Sequence, residues 1–255
     1  MEIQPIWREQ TRVHSFETDF ANLWKPAIFF QWMQEAASNH ADHLGVGYHS
    51  PLAERMLWVL SRLKVYFHSY PTLLDEIIIE TWPRGIQQKI FFTRDYRFWS
   101  PQGKLYASAS SAYLLIDPVK RRMLLPNQIS ADMPTNEGLA AVDELLEKIP
   151  ALDNPMPGHT AAADYSAVDL MGHVNNTRYV EWICNCFPQE KYQQEQIAWL
   201  QINYNNEVRP NEIVQLGIQP LKDDPQTYLV EGINQNTDAR AFEAALGWQA
   251  KSNAE

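Results

Sequence analysis

The organisation of this chain is clearest in one stretch, Ala167–Val–Asp169–Leu–Met171–Gly–His173–Val–Asn175–Asn176–Thr–Arg–Tyr179–Val–Glu–Trp182. It begins with a Gly-containing turn that carries a carboxylate, Asp169, and an imidazole, His173. Apolar residues then recur at helical spacing, which predicts an amphipathic helix from about Val174 with a buried stripe of Tyr179, Trp182, Ile183, Cys186 and Phe187. Because a helix N-terminus has unpaired N–H groups and the positive end of the helix dipole, the turn brings polar side chains to a place where an oxyanion can be held.

The composition is that of a soluble globular protein. The 255 residues are 45% hydrophobic and 12% aromatic, enough for one large core or two moderate ones. No apolar run approaches the roughly 20 residues of a membrane span, and the N-terminus lacks a signal-peptide pattern, so we expect a cytoplasmic protein without a membrane partner. The net charge of −10 argues against nucleic acid as the main partner.

Possible metal ligands are few. Cys184 and Cys186, the only cysteines, lie two apart on the predicted helix, where they cannot form a disulfide with each other, and we interpret them as packing residues. His40 and His43 lie three apart on another predicted helix but lack a third ligand, and we interpret them as surface residues. We expect neither a metal nor a cofactor.

The chain contains an internal repeat of about half its length. Asp19 precedes Trp32 by 13 positions, as Asp169 precedes Trp182, at an offset of 150. Two further segments share an apolar pattern at an offset of 137, Leu63–Phe67 and Leu200–Tyr204. A repeat of this size predicts a duplicated domain rather than a solenoid of short units.

Each half follows the same plan of one helix and then several strands. In the first half Pro26 begins the helix, because its missing N–H costs nothing in the first turn, and Gly45 ends it. Turn signals separate the predicted strands Leu57–Phe67, Glu76–Trp82, Gln88–Trp99, Lys104–Ile116, His159–Ser166, Gln196–Asn206, Glu212–Gln219, Gln226–Ile233 and Arg240–Trp248. We predict an α+β fold in which each half wraps an antiparallel sheet around one central helix.

The two halves are joined by a proline-rich connector. Residues 118–157 contain six of the 16 prolines, and we predict a short helical piece at 139–148. The predicted domains are therefore an N-terminal half, 1–117, the connector, 118–157, and a C-terminal half, 158–255.

A sheet wrapped around one helix, repeated twice, is the tandem hot-dog fold, and this sequence resembles the acyl-[acyl carrier protein] thioesterases of bacteria and plants. The resemblance covers nearly the whole chain. It rests on the 169–182 signature and on four other segments, Gln34–Glu–Ala–Ala–Ser–Asn39–His40–Ala with Leu44–Gly45–Val–Gly47, Met56–Leu–Trp58–Val–Leu–Ser–Arg62–Leu, Glu80–Thr–Trp82–Pro83 and Thr93–Arg94–Asp95. It implies a thioester hydrolase of lipid metabolism that releases a fatty acid from acyl carrier protein and so ends chain elongation in fatty acid synthesis.

Thioester hydrolysis needs a positioned water, a base and oxyanion donors, but no serine nucleophile. The helix dipole favours the neutral form of His173, which suits a base or a water-orienting residue, and Asp169 could orient the imidazole or share the water. The resemblance adds a catalytic carboxylate, Glu207, which could raise the basicity of His173 or activate water directly. The candidates for oxyanion binding or water positioning are Val174, Asn175, Asn176 and Asn206; Asn175 and Asn176 are equally candidates for helix caps.

The first half keeps only the aspartate of this set. Asp19 corresponds to Asp169, whereas Leu23 and Tyr70 stand where the second half has His173 and Glu207. We therefore expect the chemistry in the second half and an apolar acyl-chain pocket in the first, lined by Phe29, Trp32, Met33 and Trp58.

One residue departs from the family pattern. Two positions after the aspartate the family usually has an asparagine, and this chain has Met171, whose thioether donates no hydrogen bond. Three consequences are open: a slow enzyme, an enzyme that uses Asn175, Asn176, Asn205 or Asn206 instead, or an acyl-binding module without activity.

The expected partner is acyl carrier protein bearing a phosphopantetheine-linked acyl chain. Acyl-coenzyme A has the same arm, so an acyl-CoA thioesterase is the nearest alternative, and a hydratase or dehydratase of the same fold is conceivable. A basic set could dock the acidic carrier or be merely a solvated face: Lys120, Arg121 and Arg122, with Arg84, Lys89, Arg94 and Arg97. The two halves predict either a monomer that is an internal pseudo-dimer or a homodimer.

Overall fold

The fold is that of a computed structural model, which describes residues 3–126, 133–136 and 138–251. It has two compact units, a first unit of Met1–Leu146 and a second unit of Glu147–Glu255. The boundary between the units falls inside the predicted connector. Among the described residues, no helix is both long enough and apolar enough to cross a membrane.

The first unit is an antiparallel sheet with one long helix, α1. Its strands run in the order β1-β3-β4-β5-β2, and the short β6 also pairs with β5. A single 3-10 turn, Ser15–Glu17, precedes the helix. The elements are β1 (Trp7–Arg12), α1 (Pro26–His43), β2 (Leu57–Phe67), β3 (Glu76–Gln87), β4 (Phe91–Trp99), β5 (Leu105–Asp117) and β6 (Arg122–Leu124).

The second unit repeats this plan with a shorter helix, α2. Its strand order is β8-β11-β10-β9-β7, with every pair antiparallel. A 3-10 turn, Tyr165–Ala167, again precedes the helix. The elements are β7 (Met156–Ala162), α2 (Asn176–Cys184), α3 (Gln189–Gln194), β8 (Glu195–Tyr204), β9 (Ile213–Leu221), β10 (Asp224–Asn234) and β11 (Arg240–Ala250).

These bounds confirm the two predicted central helices and the listed strands, with shifts at some ends. β2 has the predicted bounds, whereas β7 begins three residues before the predicted strand and gives way to the 3-10 turn. α2 ends at Cys184, so Phe187 lies beyond the helix, although it is buried as predicted. Burial raises the pKa of the free thiols of Cys184 and Cys186 to about 12 and about 11, which keeps them protonated, as suits packing residues.

The core of the first unit is aromatic. Phe29 on α1 is fully buried and meets four other rings, all edge to face, with centroids 4.6 to 5.9 Å away: Trp24, Phe67, Tyr70 and Phe98. Edge-to-face contact satisfies the ring quadrupoles, and burial of each such side chain is worth roughly 1.5–3 kcal/mol. The stripe on α1 thus holds the helix against its sheet.

The repeat extends to individual hydrogen bonds where each helix begins. Three backbone N–H groups in each unit donate to equivalent carbonyl oxygens over 2.8–3.0 Å. In the first unit the N–H groups of Asp19, Trp24 and Lys25 donate to the carbonyls of Leu23, Pro71 and Glu17. In the second unit those of Asp169, Val174 and Asn175 donate, in the same order, to the carbonyls of His173, Val208 and Ala167. The same backbone scaffold therefore positions different side chains in the two units.

The predicted helical piece at 139–148 is wrong, because this part of the connector has no regular secondary structure. Its residues 139–146, here called the covering segment, lie against β3 and β4. Sheet side chains bind its backbone: Trp82 Nε1 donates to Leu139 O (3.1 Å), Arg97 Nη2 to Ala140 O (2.8 Å) and Arg84 Nη1 to Val142 O (2.6 Å), and Asp95 Oδ2 accepts from Ala141 N (2.7 Å). A helix would use these groups internally, so binding to the sheet replaces it.

The surface interpretation of His40 is also wrong. Its side chain is fully buried on the sheet side of α1; Nε2 donates to Gln4 O (2.8 Å), and Nδ1 accepts from Arg94 Nη1 (2.9 Å). Burial, helped by the Arg94 charge, lowers the pKa of His40 to about 4. The imidazole is therefore neutral at physiological pH.

This neutral imidazole makes stability depend on pH. Below pH 6.5 the unfolded chain protonates His40, whereas the folded chain does so only near pH 4. The unfolding free energy therefore falls by up to about 3 kcal/mol as the pH is lowered from 6.5 to 4. We expect urea unfolding at several pH values to show this fall and His40→Gln to flatten it. His49→Gln, at an exposed site, is the control and should leave the slope unchanged; equal slopes in wild type and His40→Gln would contradict the prediction.

Candidate active site

The turn before α2 is closed by Asp169. Its Oδ1 accepts from the N–H of Met171 (2.9 Å), its carbonyl accepts from Gly172 (3.0 Å), and Gly172 has a φ of 79°. A carboxylate that binds the backbone two residues on is a common way to form a tight turn, and glycine reaches positive φ without steric cost. The turn thus fixes one oxygen of Asp169 and leaves the other for the helix start.

Asn175 joins this turn to the helix. It is the N-cap of α2, with Oδ1 accepting from the N–H of Thr177 (3.0 Å) and from its hydroxyl (2.8 Å). Because Oδ1 faces these donors, the amide nitrogen has to face the other way, and it donates to Asp169 Oδ2 (3.2 Å). Asn175 therefore caps the helix, as one of its two interpretations predicted, and also holds the catalytic candidate Asp169.

His173 is positioned by its backbone rather than by Asp169. Its carbonyl accepts from the N–H of Asp169 (3.0 Å), and its half-buried imidazole has Nδ1 3.4 Å from Val174 O. Among the described residues, the carboxylate of Asp169 binds Met171 and Asn175 and not the imidazole. Since the Val174 carbonyl can only accept, it favours the tautomer with the proton on Nδ1 and leaves Nε2 as the free acceptor.

Glu207 reaches the same region through its neighbour in the chain. It is exposed in the loop after β8, directly before Val208, whose carbonyl accepts from the N–H of Val174 (2.8 Å). Burial raises the pKa of the Tyr179 phenol, a hydrogen bond from the Val208 backbone lowers it, and the charges of Glu207, Asp169 and Glu212 raise it. Glu207 and Asp169 are thus both within electrostatic reach of one phenol.

The remaining candidates differ in which groups are free. The N–H of Val174 donates to Val208, and that of Asn175 donates to Ala167 (2.9 Å), so neither is available to an oxyanion. Asn206 is exposed, with its amide donating to Arg240 O (2.7 Å). Among the described residues, none accepts the N–H of Asn176, the first residue of α2, and its carbonyl accepts from the Tyr204 hydroxyl (3.1 Å). The N–H of Asn176 is therefore the backbone donor at the helix start for which the described residues supply no acceptor.

Sequence reasoning missed Val208 and the electrostatic position of Tyr179. Val208 binds the start of α2 through its backbone, for which an amino-acid type gives no sign. One signal was available in the repeat, because the offset of 137 pairs Val208 with Pro71, and Pro71 O accepts from Trp24 N (2.9 Å) in the first unit. Tyr179 was predicted only as part of the buried stripe.

Met171 lies on the outer side of the turn. Its side chain is 41% exposed, and its N–H is already bound to Asp169. The amide that reaches the Asp169 carboxylate therefore comes from Asn175, four residues later.

In the first unit the equivalent positions hold no comparable set. Lys25, at the N-cap, makes no side-chain cap and donates through Nζ to Phe16 O (3.0 Å); Tyr70, at the position of Glu207, stacks on Phe67 with centroids 5.3 Å apart. Of the predicted pocket residues, Phe29 and Met33 are fully buried and Trp32 is half-buried. The half-buried Trp58 donates to Val46 O (2.8 Å) and meets Phe92 edge to face.

The predicted basic docking set is only partly exposed. Arg94 is buried, and Arg84 and Arg97 bind the covering segment, so the assignment of these three to a docking surface is wrong. Lys120, Arg121 and Arg122 are exposed on the β5–β6 hairpin. Among the described residues, no three His, Cys, Asp or Glu side chains are grouped so as to hold a metal ion.

Family models match both units of the chain. The acyl-ACP thioesterase N-terminal domain matches residues 5–133, and the C-terminal domain of that family matches residues 159–250. An oleoyl-acyl carrier protein thioesterase of Arabidopsis thaliana is 25% identical over 232 residues, covering 82% of this chain and 61% of that protein. A dodecanoyl-[acyl-carrier-protein] hydrolase of Cinnamomum camphora is 23% identical over 230 residues, 82% of this chain and 58% of that protein. The chain spans about three fifths of the length of these relatives.

Solved structures share the fold. An acyl-ACP thioesterase from Bacteroides thetaiotaomicron aligns with a TM-score of 0.82 and 22% identity, over 96% of this chain and 98% of the other. The 12:0-ACP thioesterase from Umbellularia californica aligns with a TM-score of 0.81 and 21% identity, over 97% and 98%. At these identities the likeness establishes the tandem hot-dog architecture.

The cap at Asn175 can be separated from its contact with Asp169. We expect Asn175→Ala to lower the unfolding free energy by about 1 kcal/mol, the usual cost of losing an N-cap. Asn175→Asp keeps the acceptor for Thr177 but turns a second carboxylate toward Asp169, so its stability should rise as the pH is lowered through the carboxylate range.

Urea unfolding measures both effects. Lys25→Ala is the matched control, because Lys25 is the N-cap of α1 without a side-chain cap, and it should change stability by less than about 0.5 kcal/mol. A loss at Lys25 equal to that at Asn175 would show that the cap bond is not the cause.

Proposed function

Because the chain belongs to the acyl-ACP thioesterase family, we propose that it hydrolyses the thioester of acyl-acyl carrier protein to a free fatty acid and the carrier. The observation that carries this proposal is the difference between two otherwise equivalent helix starts. Support comes from Asp169, His173 and Asn175, which share the turn and cap before α2, and from the hydrogen bond that ties this helix start to Val208, the neighbour of Glu207; the first unit has the same backbone bonds without these side chains. Such a reaction would end chain elongation in fatty acid synthesis.

The reaction proceeds through addition of water to the thioester carbon. His173 accepts the proton of the attacking water at Nε2, and the carboxylate of Glu207 stabilises the resulting imidazolium. The tetrahedral oxyanion is held by the N–H of Asn176 and by the dipole of α2; one such donor is typically worth roughly 3–4 kcal/mol in the transition state. The carbon–sulfur bond then breaks, and the imidazolium returns the proton to the thiolate.

Asp169 organises the turn in this scheme. Its two oxygens are held by the N–H of Met171 and the amide of Asn175, so the carboxylate keeps one orientation while the water and the thioester move. The negative charge close to the helix start also favours a positively charged imidazole during the reaction. Met171 contributes its backbone, and Asn175 contributes the amide.

The first unit is proposed to bind the acyl chain. Trp58 belongs to an apolar cluster around Val46, Met56 and Leu115, in which several members are only partly buried: Ala41, Leu44, Leu52, Trp58, Phe92, Leu124 and Met133. A partly buried apolar surface is where a hydrocarbon chain gains most from leaving water. Phe29 and Met33, which are fully buried, would shape this pocket from behind.

An acyl-CoA thioesterase is the nearest alternative, because acyl carrier protein and acyl-CoA both carry the acyl chain on a phosphopantetheine arm. The names of the relatives favour the carrier protein, and the exposed hairpin of Lys120, Arg121 and Arg122 offers it a positively charged docking site in a chain whose total charge is −10. A non-catalytic acyl-binding module receives no support from the relatives, which are named as a thioesterase and a hydrolase.

Thiol release from acyl-carrier substrates of several chain lengths tests the activity. We expect His173→Asn and Glu207→Gln to lower kcat by 100-fold or more, because each removes part of the proton transfer, which typically contributes 10²–10⁴-fold. Asp19→Asn is the matched control, since Asp19 closes the same turn in the first unit, and it should leave kcat unchanged. Met171→Asn should raise kcat or leave it unchanged. The proposal is lost if the wild type releases no thiol from any acyl-carrier substrate, or if His173→Asn keeps full activity.

The basic hairpin tests the choice of carrier. We expect Lys120→Gln, Arg121→Asn and Arg122→Gln together to raise KM for acyl-carrier substrates several-fold at low salt without changing kcat, because rim charges act mainly on association. Asparagine is chosen at Arg121 because the backbone there has a φ of 48°, which asparagine tolerates. The same triple variant should leave KM for the matched acyl-CoA unchanged; unchanged KM for both would remove the hairpin as a docking site.

A further inference from the structure

The first unit exposes a group of large apolar side chains on two loops beside the start of α1. Phe16 (74% exposed) and Phe20 (58%) lie between β1 and α1, and Leu73 (39%) and Leu74 (57%) lie between β2 and β3. These four residues are here called the apolar patch. Single exposed apolar side chains are ordinary, whereas a group of them marks a surface that binds a protein or a membrane.

Hydrogen bonds hold the two loops of the apolar patch together. The N–H of Leu73 donates to Asn22 Oδ1 (3.3 Å), and the N–H of Leu74 donates to Val13 O (3.1 Å). Both bonds cross from one loop to the other. The four side chains therefore belong to one end of the first unit's sheet, where β1 ends and β3 begins.

Leu74 is an unfavourable residue for the turn in which it lies. Its φ is 76°, in the left-handed region that a leucine rarely adopts. The offset of 137 pairs it with Asn211, whose φ is 68° and whose side chain tolerates this conformation. Because Leu74 is exposed, core packing does not compensate for the strain. A strained residue that neither the turn nor the core requires indicates that its side chain acts at the surface.

The second unit has the same loops with less apolar surface. At the repeat offsets, Ser166, Pro210 and Asn211 stand where the first unit has Phe16, Leu73 and Leu74, and only Phe20 has an exposed apolar counterpart, Leu170. The ring of Phe16 stacks on the exposed His14, with centroids 5.4 Å apart. The shared fold therefore does not require the apolar patch.

The backbone of the two loops is already paired. The N–H groups of residues 21–25 and 72–75 all donate to acceptors within the first unit. Two carboxylates supply several of these acceptors: Asp19 Oδ1 binds the N–H of Ala21 (2.8 Å) and of Leu23 (2.9 Å), and Asp75 Oδ2 binds the N–H of Thr72 (2.8 Å). The loops can therefore leave bulk water without leaving these donors unpaired.

The size of the apolar patch favours a lipid surface over a stable protein partner. Its four side chains expose a few hundred Å², less than the roughly 800 Å² that each partner buries in a standard protein–protein interface. A bilayer needs no complementary surface and accepts apolar side chains from loops of any shape. Lys25 and Arg12, which are exposed beside the patch together with Glu76, can contact phospholipid phosphates.

We propose that the apolar patch inserts into the interface of a phospholipid bilayer, so that this protein binds membranes peripherally through its first unit. Insertion removes two phenylalanine and two leucine side chains from water, and this driving force does not depend on the charge of the headgroups. The expectation of no membrane partner was drawn from the lack of a spanning run. A patch assembled from two separate loops produces no such run.

Flotation of the full chain with lipid vesicles tests the inference. We expect binding both to phosphatidylcholine vesicles and to vesicles that also contain phosphatidylglycerol, and we expect most of it to persist at high salt. Absence of binding to either composition would overturn the inference. Binding only to the anionic vesicles, with complete loss at high salt, would also overturn it, because that pattern shows adsorption by charge.

Two variants locate the contact. Leu74→Asn and Phe16→Ser, which introduce the residues of the second unit, should each weaken vesicle binding roughly tenfold, the effect of keeping one large apolar side chain in water. Leu74→Asn should also keep or raise the midpoint of urea unfolding, because asparagine tolerates the positive φ, so that weaker binding cannot come from unfolding.

Ile86→Thr is the matched control. Ile86 is 51% exposed near the other end of β3, so the variant removes a similar apolar surface away from the patch and should bind vesicles as the wild type does. Equal binding by the wild type, Leu74→Asn and Phe16→Ser would contradict the assignment.

The mass in solution distinguishes a membrane contact from a contact between copies of the chain. Sedimentation equilibrium should give the same mass for the wild type and for Leu74→Asn. A larger mass of the wild type that Leu74→Asn lowers would assign the apolar patch to self-association and overturn the inference. None of these measurements depends on thiol release, so the inference and the proposed function can fail separately.

Discussion

One backbone hydrogen bond in each unit fixes the place where chemistry can occur. The N–H of Val174 donates to Val208 O, and in the first unit the N–H of Trp24 donates to Pro71 O. Each bond ties a helix start to the loop that follows a strand, so the residues on either side of it are held together regardless of their type. In the second unit those residues include His173 and Glu207, which lie far apart in the sequence. The candidate residues are brought together by main-chain geometry, and their side chains determine only which chemistry is possible there.

The repeat made much of the fold predictable. Hydrophobic spacing placed α1, α2 and most strands, because burial on one face of a helix or sheet leaves a period in the sequence. The covering segment was mispredicted because its local sequence does not determine its conformation. Its irregular form depends on distant side chains such as Trp82, Arg84 and Asp95, and no local pattern carries that information. His40 was wrongly predicted to lie on the surface, because histidine and arginine are usually exposed and the sequence does not show that these two bind each other.

The candidate site was predictable as a set of residues but not as a set of contacts. Asp169 and His173 were singled out by their place in a turn, and Glu207 by the resemblance. The structure adds that the carboxylate of Asp169 binds Asn175 and not the imidazole. It adds also that the N–H groups of Val174 and Asn175 are already in use, which leaves that of Asn176. Such allocation of donors and acceptors depends on angles and distances, which spacing in a sequence does not determine.

The covering segment has a consequence for mutational tolerance. Its contacts with Trp82, Arg84, Asp95 and Arg97 use its own carbonyl and amide groups, and every amino acid has the carbonyl. A substitution at a residue such as Ala140 should therefore change stability little, whereas the four sheet side chains that bind the segment cannot replace one another. Ala141 is the exception, since proline there would remove the N–H that Asp95 accepts. The ordering of this segment is thus encoded partly outside it, and its own side chains matter where Val142 and Leu146 are buried and where Glu144 pairs with Lys64.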